Sequence, residues 1–140
     1  MKNILILCTG NSCRSQIAHG YFSHYGGDQL EVYSAGIETH GVNPRAIATM
    51  AADGIDLSKH TSNKVEDYLH IPFDYILTVC DHAQENCPYI PSNTAVRVHR
   101  DFSDPSKLVS DQESEIEAAF VATREEIKTF AKEFLAEHLS

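Results

Sequence analysis

Basic residues, zinc-type ligand spacings and long apolar runs are what this chain lacks, and each shortage removes a class of function. Eleven Lys and Arg stand against twenty Asp and Glu, a formal net charge of −9, which argues against a nucleic-acid or anionic-membrane partner. The four cysteines fall as two distant pairs, Cys8 with Cys13 and Cys80 with Cys87. Neither pair has the C-x2-C spacing of a zinc knuckle, and no His-x3-His pair completes such a site, so no metal is expected. No apolar stretch approaches the length of a membrane span or forms a signal peptide ahead of the first strand. A cytoplasmic location follows as the expectation, and there cysteine groups are more often catalytic or metal-binding than structural disulfides. Internal repeats, low-complexity tracts and linkers are also missing, so residues 1–140 are read as one domain, with 42% hydrophobic content and 22% charged residues.

What is present is concentrated in residues 8–15, Cys-Thr-Gly-Asn-Ser-Cys-Arg-Ser. The apolar run 3–7 before it reads as a buried parallel strand and the residues after it as a helix start. A strand that enters a helix through a Gly/Asn turn aims backbone N–H groups and the positive end of the helix dipole at one point. Cys8 and Arg14 flank that point: a nucleophile within a cradle for a tetrahedral oxyanion, with the guanidinium able to add a bidentate contact. The same field predicts a Cys8 pKa well below that of a free thiol. Because the acidic molecule repels free oxyanions at long range, capture has to be local, and this turn supplies the positive site. A second apolar run, 75–79, ends at Cys80, and strand carboxyl ends in a parallel sheet converge, which predicts Cys8 and Cys80 as neighbours.

The remaining pattern alternates strand and helix. Strands are expected over 2–7, 31–35, 75–79 and 95–99, and helices over 14–25 and from Pro44 to the stop at Gly54, capped by Asn43. Ser62 or Asn63 is expected to cap a shorter helix over 64–69, and residues 110–113 to form a capping box for the last helix. Ile116, Phe120, Ile127, Phe130, Phe134 and Leu135 recur at helical spacing and are read as core. The expected fold is a single-domain α/β three-layer sandwich, a central four-stranded parallel sheet with helices on both faces and strand one inside the sheet.

Residues 8–16, the run 33–44 (Tyr-Ser-Ala-Gly-Ile-Glu-Thr-His-Gly-Val-Asn-Pro), His60-Thr61-Ser62, Cys80 with Asn86-Cys87-Pro88, and Asp104-Pro105 together resemble the thioredoxin-coupled arsenate reductases built on the low-molecular-weight protein tyrosine phosphatase fold. The resemblance covers nearly the whole chain. It implies reduction of arsenate to arsenite, with Thr9, Gly10, Asn11, Ser12, Cys13, Arg14 and Ser15 binding the oxyanion. Cys8 would be the nucleophile, the Ser15 hydroxyl would stabilise its thiolate, and Asp104 would be the general acid. Cys80 would attack Cys8 and Cys87 would attack Cys80, passing the disulfide outward to thioredoxin, the external reductant. No bound cofactor and a monomer are implied. Cys13 receives no step in the relay and is read as a packing residue. Some members of the family bind potassium near the loop; here Asn11 and Ser34 persist, but His19 and Asn63 stand where two acidic ligands are needed, so no potassium site is expected. Two other classes stay open: a phosphatase that leaves Cys80 and Cys87 idle, and an oxyanion or redox sensor that signals through the 80–87 segment.

Overall fold

The computed structural model describes residues 1–80 and 95–139. Four strands, β1 (Lys2–Cys8), β2 (Leu30–Gly36), β3 (Tyr75–Thr78) and β4 (Val96–His99), form one sheet in the order β2-β1-β3-β4, all pairs parallel. β1 is therefore interior, as its run of apolar residues requires: Ile4, Leu5 and Ile6 are fully buried although successive side chains point to opposite faces. Tyr75, in register with Ile4, meets Phe134 and His138, whereas Tyr33, in register with Leu5, meets Tyr68 and Phe73. One face thus packs on the C-terminal helix and the other on the segment through the 3-10 turn Val65–Tyr68.

Three helices lie among the described residues, α1 (Arg14–Gly26), α2 (Pro44–Ala52) and α3 (Glu113–Leu139), and they pack against one another. α2 begins where expected: Asn43 Oδ1 accepts from the amides of Arg45 at 2.8 Å and Ala46 at 3.3 Å, with Pro44 at the first position, where a missing N–H costs nothing. It ends before Gly54, whose φ of +81° is the left-handed geometry that favours glycine. On α3, Phe120, Ile127, Phe134 and Leu135 are buried and Ile116 and Phe130 pack at the edge of the core, so the aromatic stripe is packing.

Two cap expectations are corrected. Lys64, not Ser62 or Asn63, precedes the short helix, which is a single 3-10 turn; Ser62 and Asn63 instead bond to Asn11. The box at the start of α3 does not close through Glu113: Ser110 Oγ donates to Glu115 Oε2 at 2.6 Å, while Glu113 pairs with Arg45 of α2. A local motif lost to a tertiary partner, since the Arg45 guanidinium offers Glu113 two charge-assisted bonds.

The end of β2 is pressed onto the turn after β1. A Cβ on Gly36 would lie 2.7 Å from Thr9 O and 2.8 Å from Asn11 N, both backbone atoms. Gly36→Ala is therefore expected to destabilise the protein by about 2–3 kcal/mol, a typical cost of forcing backbone apart in a packed region. Urea denaturation checks it, and an unchanged midpoint would show that the turn yields freely.

Candidate active site

The turn closes because Asn11 takes a left-handed conformation, φ 48°, which asparagine tolerates better than other side chains. The Asn11 carbonyl accepts from Gln16 Nε2 at 3.0 Å and Ser62 Oγ at 2.6 Å, its Oδ1 accepts from the Asn63 amide at 2.8 Å, and its Nδ2 donates to Ser15 Oγ at 2.8 Å. Gln16 Nε2 also donates to Thr61 O at 3.0 Å, so its Oε1 is the acceptor that meets His60 Nδ1 at 3.0 Å, and the His60 proton sits on Nδ1.

α1 starts at Arg14 with no acidic residue in its first turn, and its N-cap, Cys13, makes no side-chain cap bond. Its amides are thereby left to an anion. Cys8, Thr9, Gly10, Ser12, Cys13 and Arg14 line one cavity of about 340 Å³, closed on the far side by His40, Asp104, Ser106 and Lys107. A larger cavity of about 550 Å³, between α2 and α3, holds Arg45, Thr49, Phe120 and Arg124 and carries no nucleophile.

Sheet pairing delivers the remaining groups. The Val79 amide bonds to Leu7 O at 2.9 Å and the Phe102 amide to Val79 O at 3.2 Å, so the chain beyond β3 and β4 arrives beside the turn. Arg14 Nη1 donates to Phe102 O at 2.8 Å and its Nη2 lies 3.5 Å from Asp104 Oδ2, with Asp101 at 3.7 Å. Arg14 Nε is buried with no hydrogen-bond partner among the described residues. Asp104 is oriented by Ser106, whose amide and hydroxyl both donate to Oδ1, at 3.0 and 2.6 Å.

Cys80 is buried and its Sγ lies 3.4 Å from Thr9 Oγ1. It is the group that acts most strongly on Cys8. A hydrogen bond with the Cys80 thiol, then burial, push the Cys8 thiol well above its ordinary range, against Arg14 and the Thr9 backbone, which pull it down. The low Cys8 pKa expected from the cradle is thus corrected: a neighbouring sulfur and a dry site outweigh the guanidinium. Cys13 is pushed up to about 12, by burial and then by Asp104, and stays a thiol. Ser15 makes its contact with Asn11 and is not among the groups that shift Cys8. Cys87 lies outside the described residues.

The residues that potassium would need do not fit it. Ser34 Oγ is 2.8 Å from His19 Nδ1, and Asn63 is bonded to Thr61 and Asn11. Burial, then His60 at a ring distance of 4.5 Å, pull His19 down to about 4, so a neutral imidazole stands where a carboxylate would be required.

Sequence reasoning missed the wall opposite the turn. Phe102 contributes a carbonyl, which no residue-type pattern reveals. His40 and Glu38 were visible only as part of a longer run with no role attached.

The fold and this site define a family, and residues 3–140 match the low molecular weight phosphotyrosine protein phosphatase family, to which the chain belongs. Its relatives include arsenate reductases. The chain is 49% identical over 135 residues to an arsenate reductase of Halalkalibacterium halodurans, covering 94% of this chain and 96% of that one. It is 44% identical over 133 residues to the arsenate reductase of Bacillus subtilis, covering 95% and 94%. Among solved structures, an arsenate reductase in its oxidised state superposes with a TM-score of 0.83 at 27% identity over 98% of both chains. A tyrosine phosphatase of Erwinia amylovora, at 18% identity and a TM-score of 0.81, shares the fold.

Two measurements follow. Replacing Cys80 with Ala removes the largest cause of the raised Cys8 pKa, so the pH midpoint of Cys8 alkylation by iodoacetamide is expected to fall by at least about one unit. An unchanged midpoint would locate the cause in burial alone. His19 titrates near 4 when folded and near 6.5 when unfolded, so the unfolded chain binds the extra proton between those values and stability drops as pH falls through that window. Denaturation at pH 7 and pH 5 is expected to differ by about 2 kcal/mol more in the wild type than in His19→Asn.

Proposed function

We propose that this chain reduces arsenate to arsenite through Cys8, Cys80 and Cys87, and that thioredoxin restores the dithiol. The observation that carries the reading is a second buried thiol beside the oxyanion cradle: Cys80, whose Sγ lies 3.4 Å from Thr9 Oγ1 and which acts directly on Cys8. Hydrolysis of a phosphate ester has no use for a second thiol there, whereas a two-electron reduction needs one. The arsenate reductases among its relatives support the same choice.

The raised Cys8 pKa suits the stoichiometry. Condensation of the Cys8 thiol with hydrogenarsenate forms a sulfur–arsenic bond and releases water, so the thiol proton and the departing hydroxyl end in the same product. Asp104, held by Ser106 beside the cradle, carries that proton: it takes it from the thiol side and gives it to the leaving oxygen. Arg14, with Nε free of protein partners, and the first amides of α1 hold the remaining oxygens. Cys80 then attacks the Cys8 sulfur. The sulfur–arsenic electron pair passes to arsenic, arsenite departs with the Cys80 proton, and a Cys8–Cys80 disulfide remains. Attack by Cys87 on Cys80 returns Cys8 as a thiol and leaves Cys80–Cys87 for thioredoxin, whose dithiol is oxidised as this disulfide is reduced. Cys13 takes no part: it is a buried thiol to which the relay assigns no step. The family match favours a weaker phosphomonoesterase activity as a second reading, using Cys8, Arg14 and Asp104 alone.

The relay predicts a stall. Cys87→Ser is expected to release about one arsenite per enzyme in a single turnover and then stop as the Cys8–Cys80 disulfide, while Cys80→Ser releases almost none. Mass spectrometry of alkylated protein after one equivalent of arsenate reads both. Full multiple turnover by Cys87→Ser, or no Cys8–Cys80 species, would overturn the three-cysteine reading. Hydrolysis of a phosphomonoester is expected to survive either substitution, since it needs neither relay thiol.

A further inference from the structure

We infer that Lys107 is the residue that captures dianionic oxyanions for the cradle, supplying at its mouth a positive charge that Arg14 alone does not provide. The inference rests on the oxyanion-binding reading above. Lys107 ends the 3-10 turn Pro105–Lys107, which Asp104 caps. The Ser106 amide and hydroxyl donate to Asp104 Oδ1, and the Lys107 amide donates to Asp104 O at 3.3 Å. The turn that orients Asp104 therefore also fixes Lys107 at the cavity wall. Lys107 is exposed and makes no ion pair among the described residues.

The guanidinium in the same cavity is already opposed. Arg14 faces Asp101 at 3.7 Å and Asp104 at 3.5 Å, so two carboxylates outnumber it, and Glu38 stands against the His40 ring at the rim. Cys8 and Cys13 are held as thiols and add no charge. Residues 81–94 contain no Lys or Arg, and the chain as a whole carries a net charge of −9. Without Lys107 the charged side chains around the mouth are negative in sum, and an approaching dianion meets repulsion until the loop amides hold it. No contact with the ammonium is required: its field reaches over a Debye length, about 10 Å at 0.1 M salt, and a cleft focuses it. The effect is one-sided. Hydrogenarsenate enters as a dianion, whereas arsenous acid leaves uncharged near neutral pH, so Lys107 speeds capture without retaining the product.

The test alkylates Cys8 on the full, reduced chain with iodoacetate, an anion, and with iodoacetamide, its neutral counterpart, and reads Cys8 by mass spectrometry. The ratio of the two rates cancels the thiolate fraction and isolates the potential that an incoming anion meets. Lys107→Gln is expected to lower this ratio about threefold at about 20 mM salt and to leave it nearly unchanged at about 1 M, where the Debye length is about 3 Å. Lys107→Arg keeps the wild-type ratio. Lys132→Gln removes the same charge from the whole molecule beside Tyr25, in the last turn of α1, and also keeps it. For arsenate, with twice the charge, kcat/KM of Lys107→Gln is expected to fall about tenfold at low salt and to recover as salt is raised. An unchanged ratio in Lys107→Gln, an equal fall in Lys132→Gln, or a fall that persists at high salt overturns the inference and leaves the cradle reading intact. Failure of inorganic phosphate to protect Cys8 from iodoacetamide in the wild type overturns the cradle reading itself.

Discussion

The left-handed turn at Asn11 is the constraint on which the rest of the site depends. One residue with positive φ lets the backbone fold back between the end of β1 and the first turn of α1, so that Cys8, Thr9, Gly10, Ser12, Cys13 and Arg14 line one cavity. A non-glycine residue in that region is strained, and the strain persists because four hydrogen bonds hold its carbonyl and its side-chain amide, three accepted from Gln16, Ser62 and Asn63 and one donated to Ser15. Two of those partners lie some fifty residues away, brought in by the isolated bridge between Gly36 and Lys64 at the end of β2. The fold therefore supports the cradle from behind with neutral, fully paired groups. His19 with Ser34 and His60 with Gln16 extend that support in place of an ion.

Charge is distributed to leave the cradle usable in an acidic molecule. Arg14 is tethered by a carbonyl and shares two carboxylates, so its side chain is fixed before any oxyanion arrives, yet its Nε remains a buried donor without an acceptor among the described residues. Preorganised donors in a water-poor pocket act strongly because nothing has to reorient when the anion arrives. The cost is that the same dryness disfavours a resting thiolate. Cys80 adds to that effect. The thiol that opposes ionisation of Cys8 is thus the one to which the proposed relay gives the second step.

Much of this was legible from residue order. The run 3–7, the Gly/Asn turn and Cys8 with Arg14 announced strand, turn and helix because each rests on local backbone rules; Asn43-Pro44 announced α2 for the same reason. The neighbouring of Cys8 and Cys80 followed from the rule that parallel strands end together. The caps read at Ser62, Asn63 and Ser110 failed because those side chains found partners distant in sequence, or a different carboxylate, that local spacing could not rank.

By itself the sequence determined the alternation of strands and helices, the oxyanion-type turn and the thiol set, since these depend on neighbours in the chain and on residue type. Only the tertiary structure decided the protonation of Cys8, because burial and a sulfur seventy-two residues away set it, and only it found the Phe102 carbonyl on Arg14 and the His40 ring on Gly10. Those are properties of surfaces brought together by sheet packing, and a proton responds to everything within a few ångströms, whatever its distance along the chain.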